Sequence, residues 1–294
     1  MSRVRHSPGL VTLGLAVAIG WCTLAVRAEH SAHRIISIIP ATTEMLFAMG
    51  AGDRLVGVGS FDRYPPEDVA RLPRVGALLD PNVERMLSLR PDLVVVYDTQ
   101  VELRRQLERA GIPLFSYTHS GVPDITQTIR SLGARIGVEQ PAAALADRLE
   151  RQIRDIRVRM TGRPRPRTLL VFGREQGSLR NIDASGGQGF LHDMLEIAGA
   201  ANVLADIHRQ SVLVTTETVL ARAPDVIIEL RYTSSLTPAR LESERHGWDA
   251  LPSVPAVKSG RVYLLQGDEF VVPGPRVVTA IERFARILHP EAWQ

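Results

Sequence analysis

The chain has 294 residues, 45% of them hydrophobic and 23% charged, with no low-complexity tract, which excludes a fibrous or bulk-disordered protein and leaves room for more than one lobe. The formal charge of +3 comes from Arg3, Arg5 and Arg27, in a first segment of 28 residues without Asp or Glu. The remainder balances 32 basic against 32 acidic residues and gives no support to nucleic-acid binding. Cys22 is the single cysteine, so the chain beyond it has no disulfide, thiolate metal site or cysteine nucleophile, and stability must come from core burial.

Arg3, Arg5 and His6 precede an apolar run from Gly9 to Val26, and Val26-Arg27-Ala28 has the small last residue of an export cleavage site. Residues 1–28 are therefore expected to be a signal peptide, removed on export to the periplasm. Two competing readings are an uncleaved membrane anchor, since 18 apolar residues approach a bilayer span, and lipidation at Cys22, against which the bulky Trp21 argues.

Arg34 to Ile39 is a β-branched run and reads as a buried strand. Pro40 stops it, and a helix opens with Thr42 or Thr43 as the expected cap, closing at Gly50 and Gly52. Leu55–Val58 is a short strand, and Gly59 to Pro66 is a turn-rich loop. A helix begins at Asp80-Pro81-Asn82 and ends before Pro91, and Leu93–Val96 is the next strand. Val101–Ala110 is helical and Pro113–Tyr117 extended. Strands alternating with helices predict a parallel sheet covered on both faces.

From Pro141 to Met160 the strand signal vanishes. Leu145, Leu149, Ile153, Ile156 and Met160 step by four and three, one stripe of a long helix that leaves at Gly162. Strand signals resume at Thr168–Phe172. Ser185-Gly186-Gly187-Gln188-Gly189 lacks the Lys-Ser/Thr of a phosphate loop and reads as a helix-entry turn.

The second half echoes the first. Glu84, Leu87, Pro91 and Asp92 before an aliphatic run match Glu217, Leu220, Pro224 and Asp225 before another, and Met45-Leu46 with Gly50-Ala51 matches Met194-Leu195 with Gly199-Ala200. Duplicated halves around one helix predict an α/β fold of two Rossmann-like lobes with parallel sheets, joined by a single long α-helix, with a ligand cleft between them. The expected boundaries are 29–138 for the first lobe, 139–162 for the bridging helix and 163–294 for the second lobe.

The sequence resembles the helical-backbone metal receptors, periplasmic substrate-binding proteins that capture vitamin B12, ferric siderophores or haem for ABC importers. The resemblance rests on Ser37 to Glu44, Gly57 to Pro66, Asn82 to Arg85 with Pro91 to Val94, and Thr216-Glu217 with Pro224 to Ile227. It implies a binding protein rather than an enzyme, monomeric and without a resident cofactor. Its cargo would be a small metal chelate and its partner an ABC permease dimer met through Glu84 and Glu217. Beside this, a first-turn carboxylate also complements a helix dipole. The cobalamin binders look most similar, through the Tyr-Pro-Pro loop and the Asn-x-Glu-Arg helix start.

The cleft walls expected from this reading are Pro40, Phe61, Tyr64, Leu78 and Tyr97 on the first lobe, and Arg174, Ser211, Asp268 and Phe270 on the second. The resemblance places an aromatic contact at Phe61 and an acidic one at Asp268. Leu78 and Ser211 stand where cobalamin binders carry tryptophan, and Trp248 and Trp293 match neither position. Arg63, Arg174, Arg180 and Arg231 suit an anionic siderophore; Tyr64, Tyr97 or His119 suits haem iron. A periplasmic enzyme on the same scaffold is the alternative of another class, but Glu44 and Glu175 are not tied together by any spacing and no nucleophile motif occurs. A stiff bridging helix predicts only small lobe movement on binding.

Overall fold

The computed structural model describes residues 31–232 and 236–294. The expected signal peptide, its cleavage after Ala28 and Cys22 lie outside the described residues. No helix among those described is long and apolar enough to cross a membrane.

The first sheet is built from β1 (Ile35–Ser37), β2 (Leu55–Val58), β3 (Leu93–Tyr97) and β4 (Leu114–Tyr117), in the order β2-β1-β3-β4 and wholly parallel. Helices α1 (Pro40–Ala48), α2 (Pro66–Val69), α3 (Val83–Ser88) and α4 (Val101–Arg109) fill the crossovers. The central strands are buried on both faces, as their aliphatic runs require. One expectation fails locally: neither Thr42 nor Thr43 caps α1. Pro40 takes the first helical position, where its fixed φ and missing N–H suit it, and Ile39 occupies the cap. Both threonines fall inside the helix, and their hydroxyls bond back to Ser37 at 2.8 Å.

Helices α5 (Val122–Ile136) and α6 (Glu139–Met160) follow. The sequence reading passed over α5, whose left-handed Gly137 ends it and turns the chain into α6. Helix α6 has 22 residues, roughly 33 Å at 1.5 Å per residue, and the expected stripe of Leu145, Leu149, Ile153, Ile156 and Met160 is buried along it. It packs on α5 at the first half of the molecule and on α7 (Phe190–Ile197) and α11 (Val277–Leu288) at the second. One continuous apolar core therefore runs through this helical layer into both halves.

The second sheet contains β5 (Arg167–Gly173), β6 (Ile182–Ser185), β7 (Ala201–Asn202), β8 (Ser211–Val214), β9 (Val226–Arg231) and β10 (Val262–Gln266), with α8 (Thr216–Arg222), α9 (Pro238–His246) and α10 (Pro255–Lys258) around it. Its order is β10-β9-β5-β6-β8, with β7 beside β5. Here the expectation of a parallel sheet needs refinement. The β10, β9, β5 and β7 strands are parallel, but β6 runs antiparallel to both β5 and β8. Only Arg174 to Asn181 joins β5 to β6, too short for a parallel crossover, so the chain folds back as a hairpin. A second apolar cluster centred on Trp248 covers the outer face of this sheet.

The repeated Pro-Asp segments adopt the same local structure. Asn82 caps α3 by accepting the Arg85 amide, and Thr215 caps α8 by accepting the Thr218 amide. Arg90 and Ala223, each just before the proline, both take the left-handed conformation that stops the helix. Asp92 then accepts the amides of His33 and Arg34 at 2.9 and 2.8 Å, while Asp225 accepts that of Arg167 at 3.1 Å. Arg34 in turn donates to the carbonyls of Leu89 and Arg90 just after α3, and Arg167 to that of Arg222 at the end of α8. Each half thus locks a helix exit to a strand entry with one Asp and one Arg.

Candidate ligand cleft

Parallel strands bring their C-terminal ends to one edge, and those two edges meet across the cleft. Several contacts among the described residues join the two halves. The Arg276 guanidinium donates to the Glu44 carboxylate, with 2.9 Å from Nε to Oε2, and lies 4.2 Å over the Tyr64 ring. The His119 ring meets Phe190 with 5.9 Å between centroids. The Val122 amide donates to Asp193 at 2.8 Å.

The Ser185–Gly189 turn does enter a helix, and it needs its glycines. A Cβ at Gly187 would lie 2.0 Å from the Ala205 carbonyl oxygen, and Gly189 holds φ at +90° as the cap of α7. This turn delivers Phe190 to the second lobe's wall. There Phe172, Phe190, Leu191, Tyr232 and Val271 surround a cavity of about 360 Å³, with Ser211 at its lining. The walls are mainly apolar, which suits a bulky, poorly hydrated ligand face.

Of the expected first-lobe residues, Phe61 and Tyr64 are exposed on the loop after β2, at 61% and 42%. Pro40 is half-buried at the start of α1. Tyr97 is half-buried at the end of β3 and packs edge-on against Tyr117 at 5.2 Å. Gln100 links it to Leu78, accepting the Tyr97 amide and donating to the Leu78 carbonyl. Leu78 itself opens toward a groove beside α3 and α4. Burial lowers His119 below the ordinary histidine range, so its imidazole is held neutral.

On the second lobe Ser211 is exposed, and Asp268 lies 2.8 Å from Nη1 of Arg276. Two expected wall residues do not reach the cleft. The Arg174 side chain is fully buried and committed: it is paired with Glu229 at 3.0 Å and Glu244 at 3.1 Å and donates to the Glu244 and Ser178 carbonyls. Phe270 is fully buried and stacks on Phe284 at 5.7 Å, because the short turn from Asp268 to Phe270 points its two ends in opposite directions.

Arg231, offered for an anionic ligand, joins the same buried network with Glu229 and Glu244. Arg180 pairs with Glu175, which leaves Glu175 remote in role from Glu44. The two tryptophans are structural. Trp248 donates from Nε1 to Glu229 at 2.7 Å, and Trp293 is sandwiched by Arg159 and Arg286. Sequence reasoning missed Phe172, Phe190, Tyr232 and Arg276; the only advance signal was the glycine-rich turn that precedes Phe190. No cluster of metal-ligating side chains occurs among the described residues.

Comparison with known proteins agrees with this geometry. The uncharacterized ABC transporter substrate-binding lipoprotein YvrC from Bacillus subtilis (strain 168) is 29% identical over 274 residues, covering 92% of this chain and 84% of that protein. A vitamin B12-binding protein from Yersinia pestis (strain Pestoides F) is 28% identical over 280 residues, with 95% and 94% covered. The periplasmic heme-binding protein RhuT from Roseiflexus sp. RS-1, in apo form, superposes with a TM-score of 0.75 at 27% identity, with 89% and 99% covered. The profile of the family described as periplasmic binding protein matches residues 35–269, and the chain belongs to that family.

Proposed function

We propose that this member of an ABC-importer binding-protein family captures a corrinoid of the vitamin B12 type in the cleft and delivers it to a membrane permease. The carrying observation is the apolar cavity lined by Phe172, Phe190 and Tyr232 on the second lobe, and the exposed Phe61 and Tyr64 on the loop after β2 support it. Such walls suit the broad apolar flank of a corrin ring, and the vitamin B12-binding relative supports the same cargo. In this reading Pro40, Phe61, Tyr64, Leu78, Tyr97, Ser211 and Asp268 contact the ligand between lobes 29–138 and 163–294, held apart by the 139–162 helix. The protein acts as an exported, periplasmic monomer without catalysis. Glu84 and Glu217 meet the permease dimer; each is the second residue of its helix after a capped N-terminus.

A second reading, haem, is favoured by one observation: the neutral His119 belongs to an aromatic group with Tyr97, Tyr117 and Phe190 at the cleft. Titration of the purified protein with cyanocobalamin, haemin and a ferric siderophore decides between them. The corrinoid reading expects saturable one-to-one cobalamin binding with Kd below about 1 μM. Saturable haemin binding with a Soret shift, and no cobalamin binding, would replace it with the haem reading.

A further inference from the structure

The repeated Glu-x-x-Leu pattern carries a feature beyond its glutamates. Leu87 follows Glu84 by three residues and Leu220 follows Glu217 by three, so each leucine shares a helix face with its carboxylate. These leucines are not core residues. Helix α3 buries Met86 and helix α8 buries Val219, while Leu87 and Leu220 stay 37% and 41% exposed. The segment entering each helix adds a second exposed leucine: Leu79, 96% exposed on the turn before α3, and Leu213, 66% exposed on β8 before α8. Leu79 lines one groove together with Val83, the residue before Glu84 at the start of α3.

A single exposed leucine calls for no explanation. Here exposure recurs at the same position of a duplicated unit, one turn from the same carboxylate, in both halves. The two helices are otherwise finished locally. Their caps, left-handed stops and Asp–Arg locks are complete without these side chains. Glu217 is held below the usual carboxylate range by the Thr215 hydroxyl and its own backbone amide, so its patch stays acidic.

We propose that Leu87 and Leu220, flanked by Leu79 and Leu213, are paired apolar contacts that seat the protein on its permease dimer beside Glu84 and Glu217. This rests on the docking reading of the two glutamates. The matched acidic and apolar patches, one on each lobe, call for a two-fold partner that offers one cation and one apolar depression per subunit. The division of labour follows from range. The carboxylates act over about a Debye length and set orientation and on-rate. The leucines act only on contact and slow departure.

The test measures association of the full-length protein, with the export segment removed, to the importer's permease–ATPase complex in nanodiscs across a salt series. The double variant Leu87→Ser/Leu220→Ser is expected to bind about 10- to 100-fold more weakly. Its salt dependence should match the parent's, with the loss in off-rate. Leu87→Met/Leu220→Met should restore binding. Glu84→Gln/Glu217→Gln should bind more weakly with a flattened salt dependence. Full affinity in the leucine-to-serine variant overturns this inference and leaves the docking reading standing. Full affinity and an unchanged salt slope in the glutamine variant overturn the docking reading itself.

Discussion

Glu44 in α1 and Arg276 at the entry to α11 are bonded across 232 residues of chain, carboxylate to guanidinium, from one half of the molecule to the other. Arg276 also reaches Asp268 at 2.8 Å and covers the Tyr64 ring, so one side chain ties three groups together. Burial pushes the Glu44 carboxyl up, and Arg276 brings it only part of the way back. Burial alone would lower Arg276, but Glu44 beside it holds the guanidinium above its ordinary value.

Removing one partner of such a pair strands the other. Arg276→Met leaves Glu44, 4% exposed, without its countercharge and is expected to destabilise the protein by about 2–4 kcal/mol in urea unfolding. Glu44→Leu/Arg276→Met should recover part of that loss, since both desolvation penalties then vanish. A double variant no more stable than Arg276→Met alone would show that the pair's role lies outside stability.

Asp62 is 1% exposed and neither carboxylate oxygen has a hydrogen-bond partner among the described residues. Burial raises its pKa from 3.8 to about 7. The native state therefore holds this proton more tightly than the unfolded chain does, and its stability falls as the pH rises from about 4 to about 7, then levels. Asp62→Asn cannot ionise. Its stability relative to the parent should rise from near zero at about pH 4 to about 2–4 kcal/mol at about pH 8. Urea midpoints across that range check this, and a difference independent of pH would contradict it.

Arg174 discriminates a structural from a ligand-binding role. Its side chain is fully buried between Glu229 and Glu244. Arg174→Met should cost about 3–5 kcal/mol in stability while cobalamin or haemin affinity of the folded fraction stays unchanged. A stable variant with weakened ligand binding would return Arg174 to the cleft wall.

The aromatic walls should show the opposite behaviour. Phe61 is exposed, so Phe61→Ala should leave the melting temperature unchanged and weaken ligand binding by about 10-fold. Phe190→Ala removes half-buried surface shared with His119 and should lower both affinity and melting temperature. Unchanged affinity in both variants would take the ligand away from this cavity.

Much of the fold was legible because its signals are local. The aliphatic runs at Ile35–Ser37 and Leu93–Tyr97 could only be strands buried on both faces, and the stripe from Leu145 to Met160 could only face a core. The Pro-Asp repeat was visible as letters, and its lock with Arg34 and Arg167 became visible only as geometry. Helix α5 escaped notice although Val122, Ile125, Ile129, Leu132 and Ile136 are buried on one of its faces.

The cleft residues were less legible. Phe270 stands two residues from Asp268, yet one is in the core and the other at the cleft, since a tight turn reverses direction within that distance. Arg174 carries the same letter as a surface arginine, and only the arrival of Glu229 and Glu244 from β9 and α9 makes it an interior cation.

By itself the sequence determined the elements, their duplication and the bridging helix, because hydrophobic period, proline, glycine and capping residues act over one or two turns of chain. Only the tertiary structure decided which side chains meet across the lobes. Glu44 with Arg276, and His119 with Phe190, are joined by the packing of α5, α6, α7 and α11, and the strength of a charge or aromatic contact depends on that distance and burial rather than on position in the chain.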